Sequence, residues 1–128
     1  MQRNADLVRR GYEAFNTGDV NTLLELIRED AVFYQPGANA VSGDHRGRDA
    51  VLAYFGQLAQ RSGGTFRADI EQLYASDRAV VVVHHATGES DGRALDTRTA
   101  LIFTIENDQV TRFDAVQQDQ DAFDAFFG

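Results

Sequence analysis

Apolar residues recur along the first part of the chain at the spacing of an amphipathic helix. Between Asn4 and Thr17, residues Leu7, Val8, Tyr12 and Phe15 fall three and four positions apart and so share one face. Gly18 stops this helix, and Asp19 is placed to cap a second one whose apolar side is Val20, Leu23, Leu24 and Ile27. Together they form a tight hairpin. Ala31 to Pro36 (AVFYQP) is short and rich in β-formers, and it reads as a strand that ends at the chain's single proline. The following GANAVSGDHRG is glycine-rich and lacks periodicity, so a covering loop is predicted there. A third helix carries Val51, Leu52, Phe55 and Leu58 on one side and ends at Gly63 and Gly64.

After Gly64 the period changes from 3.6 to 2. The segments Thr65 to Ala75, Arg78 to Glu89, Ala94 to Glu106 and Gln109 to Gln117 are separated by the turn signals SDR, SDGR and NDQ, which predicts an antiparallel meander. Aspartates at 119 and 121, followed by Phe123, Phe126 and Phe127, predict a short last helix.

Composition narrows the function classes. At 128 residues and 43% hydrophobic content, the chain has the size and apolar content of one domain with one core. It has no cysteine, which removes disulfides, thiolate metal sites and cysteine nucleophiles. A net charge of −8 repels phosphate backbones and anionic lipid surfaces, so neither nucleic acid nor a membrane is an expected partner. No run reaches the length of a membrane span and MQRNADLVRR lacks the apolar stretch of a secretory leader, so a cytoplasmic location is expected.

The stretch YEAFNTGDVNTLLELIREDAVF, the PG after the first strand, GDHRGRDAV and the final NDQVTRF resemble, in that order, the nuclear transport factor 2-like superfamily with its SnoaL-like and ketosteroid isomerase-like members. The resemblance spans nearly the whole chain. It implies an α+β fold: a cone-shaped, curved antiparallel sheet, three helices from the N-terminal half enclosing an apolar pocket, and a short C-terminal helix. That fold hosts isomerases, cyclases, dehydratases, epoxide hydrolases and non-catalytic binders alike, so it does not define the chemistry.

Strand alternation decides which residues line such a pocket. In the segment from Ala94, the odd positions Leu95, Thr97, Thr99, Leu101, Phe103 and Ile105 are more apolar than the even ones and point inward. The segment from Arg78 is apolar on both faces; the family's hairpin register, counted back from Gly92-Arg93, turns Val82, His84 and Ala86 inward and His85 outward. By the same reasoning Phe33, Gln35, Phe113, Ala115 and Gln117 face the pocket.

Ketosteroid isomerases use an aspartate base with a tyrosine and a protonated aspartic acid as donors. The corresponding positions here hold Gln35, Gly11 and Leu101, which cannot perform that mechanism. Limonene epoxide hydrolase-like members use an Asp-Arg-Asp arrangement, but Asp114 falls one residue out of register for it. His84 remains the candidate base, with an ordinary pKa near ~6.5 and an apolar setting that favours its neutral form. Tyr12, Gln35 and Tyr54 are the candidate orienting groups, while Phe33, Phe55, Thr99, Leu101, Phe103, Phe113 and Gln117 complete a substrate-binding wall for a small apolar molecule. His45, beside Asp44 and Arg46, reads as a solvated loop cluster, and Tyr34 as packing with its hydroxyl at the surface.

No His/Asp/Glu trio shares a face and there is no phosphate loop or dinucleotide fingerprint, so no metal and no cofactor is expected. The apolar strip Val81, Val83, Ala100 and Ile102 on the other side of the sheet predicts a homodimer. Two functions follow: a cofactor-independent proton-transfer enzyme of isomerase, cyclase or dehydratase type, or a non-catalytic ligand-binding or dimerising module.

Overall fold

Two helices open the chain in the computed structural model, which describes residues 2–128: α1 (Gln2–Thr17) and α2 (Val20–Leu26). Gly18 ends α1 in the left-handed region at φ 72°. Asp19 then caps α2, accepting hydrogen bonds from the Thr22 amide at 3.2 Å and the Thr22 hydroxyl at 2.7 Å. The second helix is shorter than its apolar spacing predicted. Val20 is 53% exposed, and Ile27 already opens the first strand, β1 (Ile27–Gln35). That strand starts four residues before the predicted Ala31, because Ile27 is buried and pairs with Val110.

A correction also falls on GANAVSGDHRG. Its last part forms a strand, β2 (Gly43–Arg46), antiparallel to β1 through pairs such as Phe33 with His45. Then come α3 (Arg48–Arg61), β3 (Arg67–Ala75), β4 (Ala79–Ser90), β5 (Arg93–Glu106), β6 (Gln109–Gln117) and α4 (Gln120–Phe126). The last helix is capped by Asp119, which accepts from the Ala122 amide at 3.0 Å.

The strands form one curved, unclosed sheet in the order β2-β1-β6-β5-β4-β3. The four strands β3 to β6 form the predicted antiparallel meander, but the β1–β6 pairing is parallel and the sheet is therefore mixed. Parallel neighbours need a long crossover, and here the whole length from β2 to β5 supplies it. Two-residue turns set the register of the last two hairpins: Asp91-Gly92 and Asn107-Asp108 all have positive φ, the geometry of type I′ turns.

Register determines faces. Val80, Val82, His84 and Ala86 of β4, and the odd positions of β5 from Leu95 to Ile105, are buried on the concave side. Helices α1, α3 and α4 pack over that side, against β3 and β4, β1, and β5 respectively. Two asparagines fix the rotation of α1. Asn16 donates to the Ala68 carbonyl at 2.7 Å and accepts from the Ala68 amide at 3.1 Å, while Asn4 donates to the Ser76 carbonyl at 2.9 Å. Tyr12, between them, is thereby held over β4. The outer face leaves Tyr74, Ile102 and Val116 exposed, beside the pairs Arg98–Glu71 and Arg112–Asp114.

Candidate functional site

Beneath the helices the concave side chains leave a cavity of ≈ 90 Å³. All the residues proposed from the sequence for catalysis or binding lie in its wall: His84, Tyr12, Phe33, Gln35, Tyr54 and Phe55, and with them Thr99, Leu101, Phe103, Phe113 and Gln117. Among the described residues no Asp, Glu, Lys or Arg lines it. Gly11, Gln35 and Leu101, compared above with the catalytic positions of ketosteroid isomerases, are all in the wall.

The polar groups are arranged as an arc. His84 on β4 lies opposite Thr99 on β5, and Thr99 lies opposite Gln117 on β6, so three neighbouring strands present polar side chains at one level. Hydrogen bonds extend the arc to a phenol at each end. Tyr12 Oη and His84 Nδ1 are 2.6 Å apart. The Thr99 hydroxyl donates to Gln117 Oε1 at 2.7 Å, Gln117 Nε2 donates to Gln35 Oε1 at 2.8 Å, and Gln35 Nε2 donates to Tyr54 Oη at 2.6 Å. The remaining residues of the cavity wall are apolar.

Burial keeps the arc uncharged. It lowers the His84 pKa to about 4, an effect that the Asp69 carboxylate opposes and His85 reinforces. Burial also pushes the Tyr12 phenol above its usual range, and the Tyr54 phenol likewise, although the Gln35 donor partly offsets the latter. Near neutral pH the cavity therefore holds a neutral imidazole and two neutral phenols.

The Tyr12–His84 contact has two proton arrangements with the same outcome. If Tyr12 donates to Nδ1, the Nε2–H of His84 is a donor; if Nδ1–H donates to Tyr12, Nε2 is an acceptor and the phenol proton is free. Either way the pair offers one donor and one acceptor. The second arrangement is the one a base requires. The sequence marked both residues singly; their contact spans 72 positions and joins a helix to a strand, which no local pattern encodes.

Three other candidates are placed away from the cavity wall. His85 faces outward and donates from Nε2 to the Asp96 carboxylate at 2.5 Å. That hydrogen bond is the main reason the Asp96 carboxyl is held below its usual pKa. Asp114 pairs with Arg112 on the outer face. His45 is more than a solvated loop group: Nε2 donates to the Val41 carbonyl at 2.8 Å, and its ring lies 4.6 Å from that of Tyr54, so it backs the phenol that ends the arc. Asp44 and Arg46 do form an exposed pair.

Wall residues that had not been singled out for the site include Phe15, Leu58, Phe66 and Phe123. Phe15, Leu58 and Phe123 belong to apolar helix faces whose periodicity was legible, and that signal was sufficient to find them. Phe66 precedes β3 and has no such periodic neighbours. Phe15 meets Phe55 and Phe66 edge-on at centroid distances of 5.2 and 5.9 Å, and all three rings are half-buried.

A curved sheet wrapped around helices, with an apolar cavity between them, is the nuclear transport factor 2-like arrangement. The sequence profile of the SnoaL-like domain family matches residues 8–113. The chain belongs to the SnoaL-like domain family. An uncharacterised protein of Mycobacterium tuberculosis (strain ATCC 25618 / H37Rv) is 32% identical over 95% of this chain and 94% of its own. The structure of Bal32a, from a soil-derived mobile gene cassette, is 39% identical with a TM-score of 0.96, covering 99% of this chain and 98% of that one. IdmH from Streptomyces antibioticus, a putative polyketide cyclase, is 22% identical with a TM-score of 0.76 over 92% and 93% of the two chains, a likeness of fold alone. No helix is long and apolar enough to cross a membrane, among the described residues.

Proposed function

We propose that the protein binds a small apolar molecule in this cavity and moves a proton on it without a cofactor, with His84 as the base. The observation that carries the reading is the 2.6 Å contact between Tyr12 Oη and His84 Nδ1, which leaves Nε2 as the imidazole atom without a protein partner among the described residues. With Nδ1–H donated to Tyr12, Nε2 removes a proton from carbon. The C–H bond breaks, an N–H bond forms, and the electron pair passes into an adjacent carbonyl as an enolate. Return of the same proton to a different atom is an isomerisation; attack by the enolate carbon on a second carbonyl, whose oxygen then takes the proton back from Nε2, is a cyclisation.

An imidazole with a pKa of about 4 is a weak base, fully available at neutral pH but with little driving force. It suits a carbon already acidified by its neighbours. The putative polyketide cyclase among the similar folds is consistent with such a substrate class. A non-catalytic binder with the same cavity is the competing reading, and it requires no proton to move.

Deuterium exchange at C2 of ethyl acetoacetate, followed by NMR in heavy water, separates them. The wild type should exceed buffer background, with a rate that is flat near neutrality and falls as pH drops through about 4, where Nε2 takes up its own proton. His84→Gln should lose on the order of 10²-fold or more of that excess, as expected for a general base, and His85→Gln should keep it. Equal rates for wild type and His84→Gln would leave the protein as a binder.

A further inference from the structure

The second polar pole of the cavity lies at the far end of the arc from His84. Thr99, Gln117, Gln35 and Tyr54 are joined by three hydrogen bonds that all run in one direction, each residue donating to the next. Tyr54 Oη ends the series as an acceptor, and among the described residues nothing accepts its own proton. The ring packs against Phe33 at a centroid distance of 4.4 Å and His45 at 4.6 Å, which fixes where the phenol oxygen sits. A buried O–H without an acceptor is costly, and donors that feed a phenol oxygen polarise its proton outward.

We propose that Tyr54 is a specificity-determining donor, and that it selects an uncharged ligand with a carbonyl oxygen at the end opposite the atom presented to His84. This rests on the reading of the cavity as a ligand site. The wall supplies neither a cation for a carboxylate nor a carboxylate for an amine, so an ionised ligand would have to leave water without a counter-charge. A carbonyl, by contrast, completes the hydrogen bonding of the phenol. The space of ≈ 90 Å³ is below the roughly 150 Å³ that accommodates benzene in an engineered core cavity. Even a small ring therefore needs the half-buried rings of Phe15, Phe55 and Phe66 to give way.

The test compares two molecules of nearly the same shape, cyclopentanone and methylenecyclopentane, with cyclopentanecarboxylate as the charged probe. Binding is read by NMR titration at pH 7, following the side-chain amides of Gln35 and Gln117. Cyclopentanone should bind the wild type more tightly than methylenecyclopentane, and the carboxylate should shift nothing. Tyr54→Phe should weaken cyclopentanone roughly tenfold, the scale of one neutral hydrogen bond, and leave methylenecyclopentane unchanged. Equal weakening of both probes would reduce Tyr54 to a packing role and overturn the proposal. So would loss of carbonyl preference in Thr99→Val but not in Tyr54→Phe, because the series would then run in the opposite direction. Should neither neutral probe bind the wild type, the ligand-site reading falls and this inference with it. Binding of both without carbonyl preference overturns the inference alone.

Discussion

His84 and His85 are consecutive residues on β4 and occupy different chemical worlds. On the concave side His84 is buried in the cavity wall, its partner is the neutral phenol of Tyr12, and its pKa is lowered to about 4. On the outer side His85 is partly exposed and its partner is the ionised Asp96. The difference extends to the whole sheet. Ion pairs such as Arg98–Glu71 and Arg112–Asp114 occupy the outer face, whereas on the concave face Thr99, Gln117, Gln35 and Tyr54 are linked by hydrogen bonds between neutral side chains. One alternation of side chains, combined with helices over one face only, creates both environments. What separates the two histidines is desolvation rather than residue type.

The comparison is sharpest for packing. Phe103, 5% exposed, meets Tyr12 at 6.0 Å and Phe113 at 5.5 Å across the cavity wall, whereas Val116 is 57% exposed on the outer face. Phe103→Ala should cost about 3–5 kcal/mol in urea unfolding through lost contacts and an enlarged cavity. Val116→Ala should stay within about 0.5 kcal/mol. Similar losses for the two would mean that the outer face is as well packed as the inner one.

The pH dependence of stability tests the electrostatic half. Above pH 6.5 the His84 imidazole is neutral in both folded and unfolded chains. Between 6.5 and about 4 the unfolded chain takes up a proton that the folded site resists, so stability falls with falling pH. Below about 4 the folded protein takes up the proton too and this loss levels off. The shift corresponds to about 3 kcal/mol, present at neutral pH and lost across that window. In His84→Gln the difference from wild type should narrow by that order between pH 7 and pH 4, while His85→Gln retains the His84 contribution. Parallel pH–stability curves for wild type and His84→Gln would show that the imidazole is solvated after all.

How far this was legible from the sequence differs by element. The alternation in β5 identified its inward face unaided, because Asp96, Arg98 and Glu106 mark the other side. In β4 both faces are apolar, and only the resembled family's hairpin register, counted back from Gly92-Arg93, turned His84 inward; the observed turn at Asp91-Gly92 and pairing of Ser90 with Arg93 put it there. The β2 strand was missed because Gly-Asp-His-Arg contains no strand former and exists through pairing with β1. The second helix was extended too far because Ile27 keeps helical spacing with Leu23 and Leu24 while its burial comes from the sheet. Every member of the polar arc had been named. Its connectivity had not, since partners 72 and 82 positions apart meet only through tertiary structure.

Two tyrosines allow the finest version of the comparison, because each can lose a single oxygen. Tyr12 is buried, and its hydroxyl is the protein partner of His84 Nδ1 at 2.6 Å. Tyr34 is 39% exposed on the opposite side of the sheet, and its hydroxyl has no protein partner among the described residues. Tyr12→Phe keeps the ring that touches Phe103 but leaves the imidazole nitrogen without its partner inside an apolar wall. Orphaning a buried neutral group costs about 1–3 kcal/mol, so the urea midpoint should fall with an unchanged denaturant slope. Tyr34→Phe removes a group that water already solvates, and stability should remain within about 0.5 kcal/mol of wild type. Nitrogen chemical shifts of the His84 ring provide a second readout: Tyr12→Phe should alter them and Tyr34→Phe should not. A Tyr12→Phe protein with wild-type stability and unchanged ring shifts would mean that the contact neither holds nor orients the histidine, and the proposed base would then lack the group that sets its tautomer.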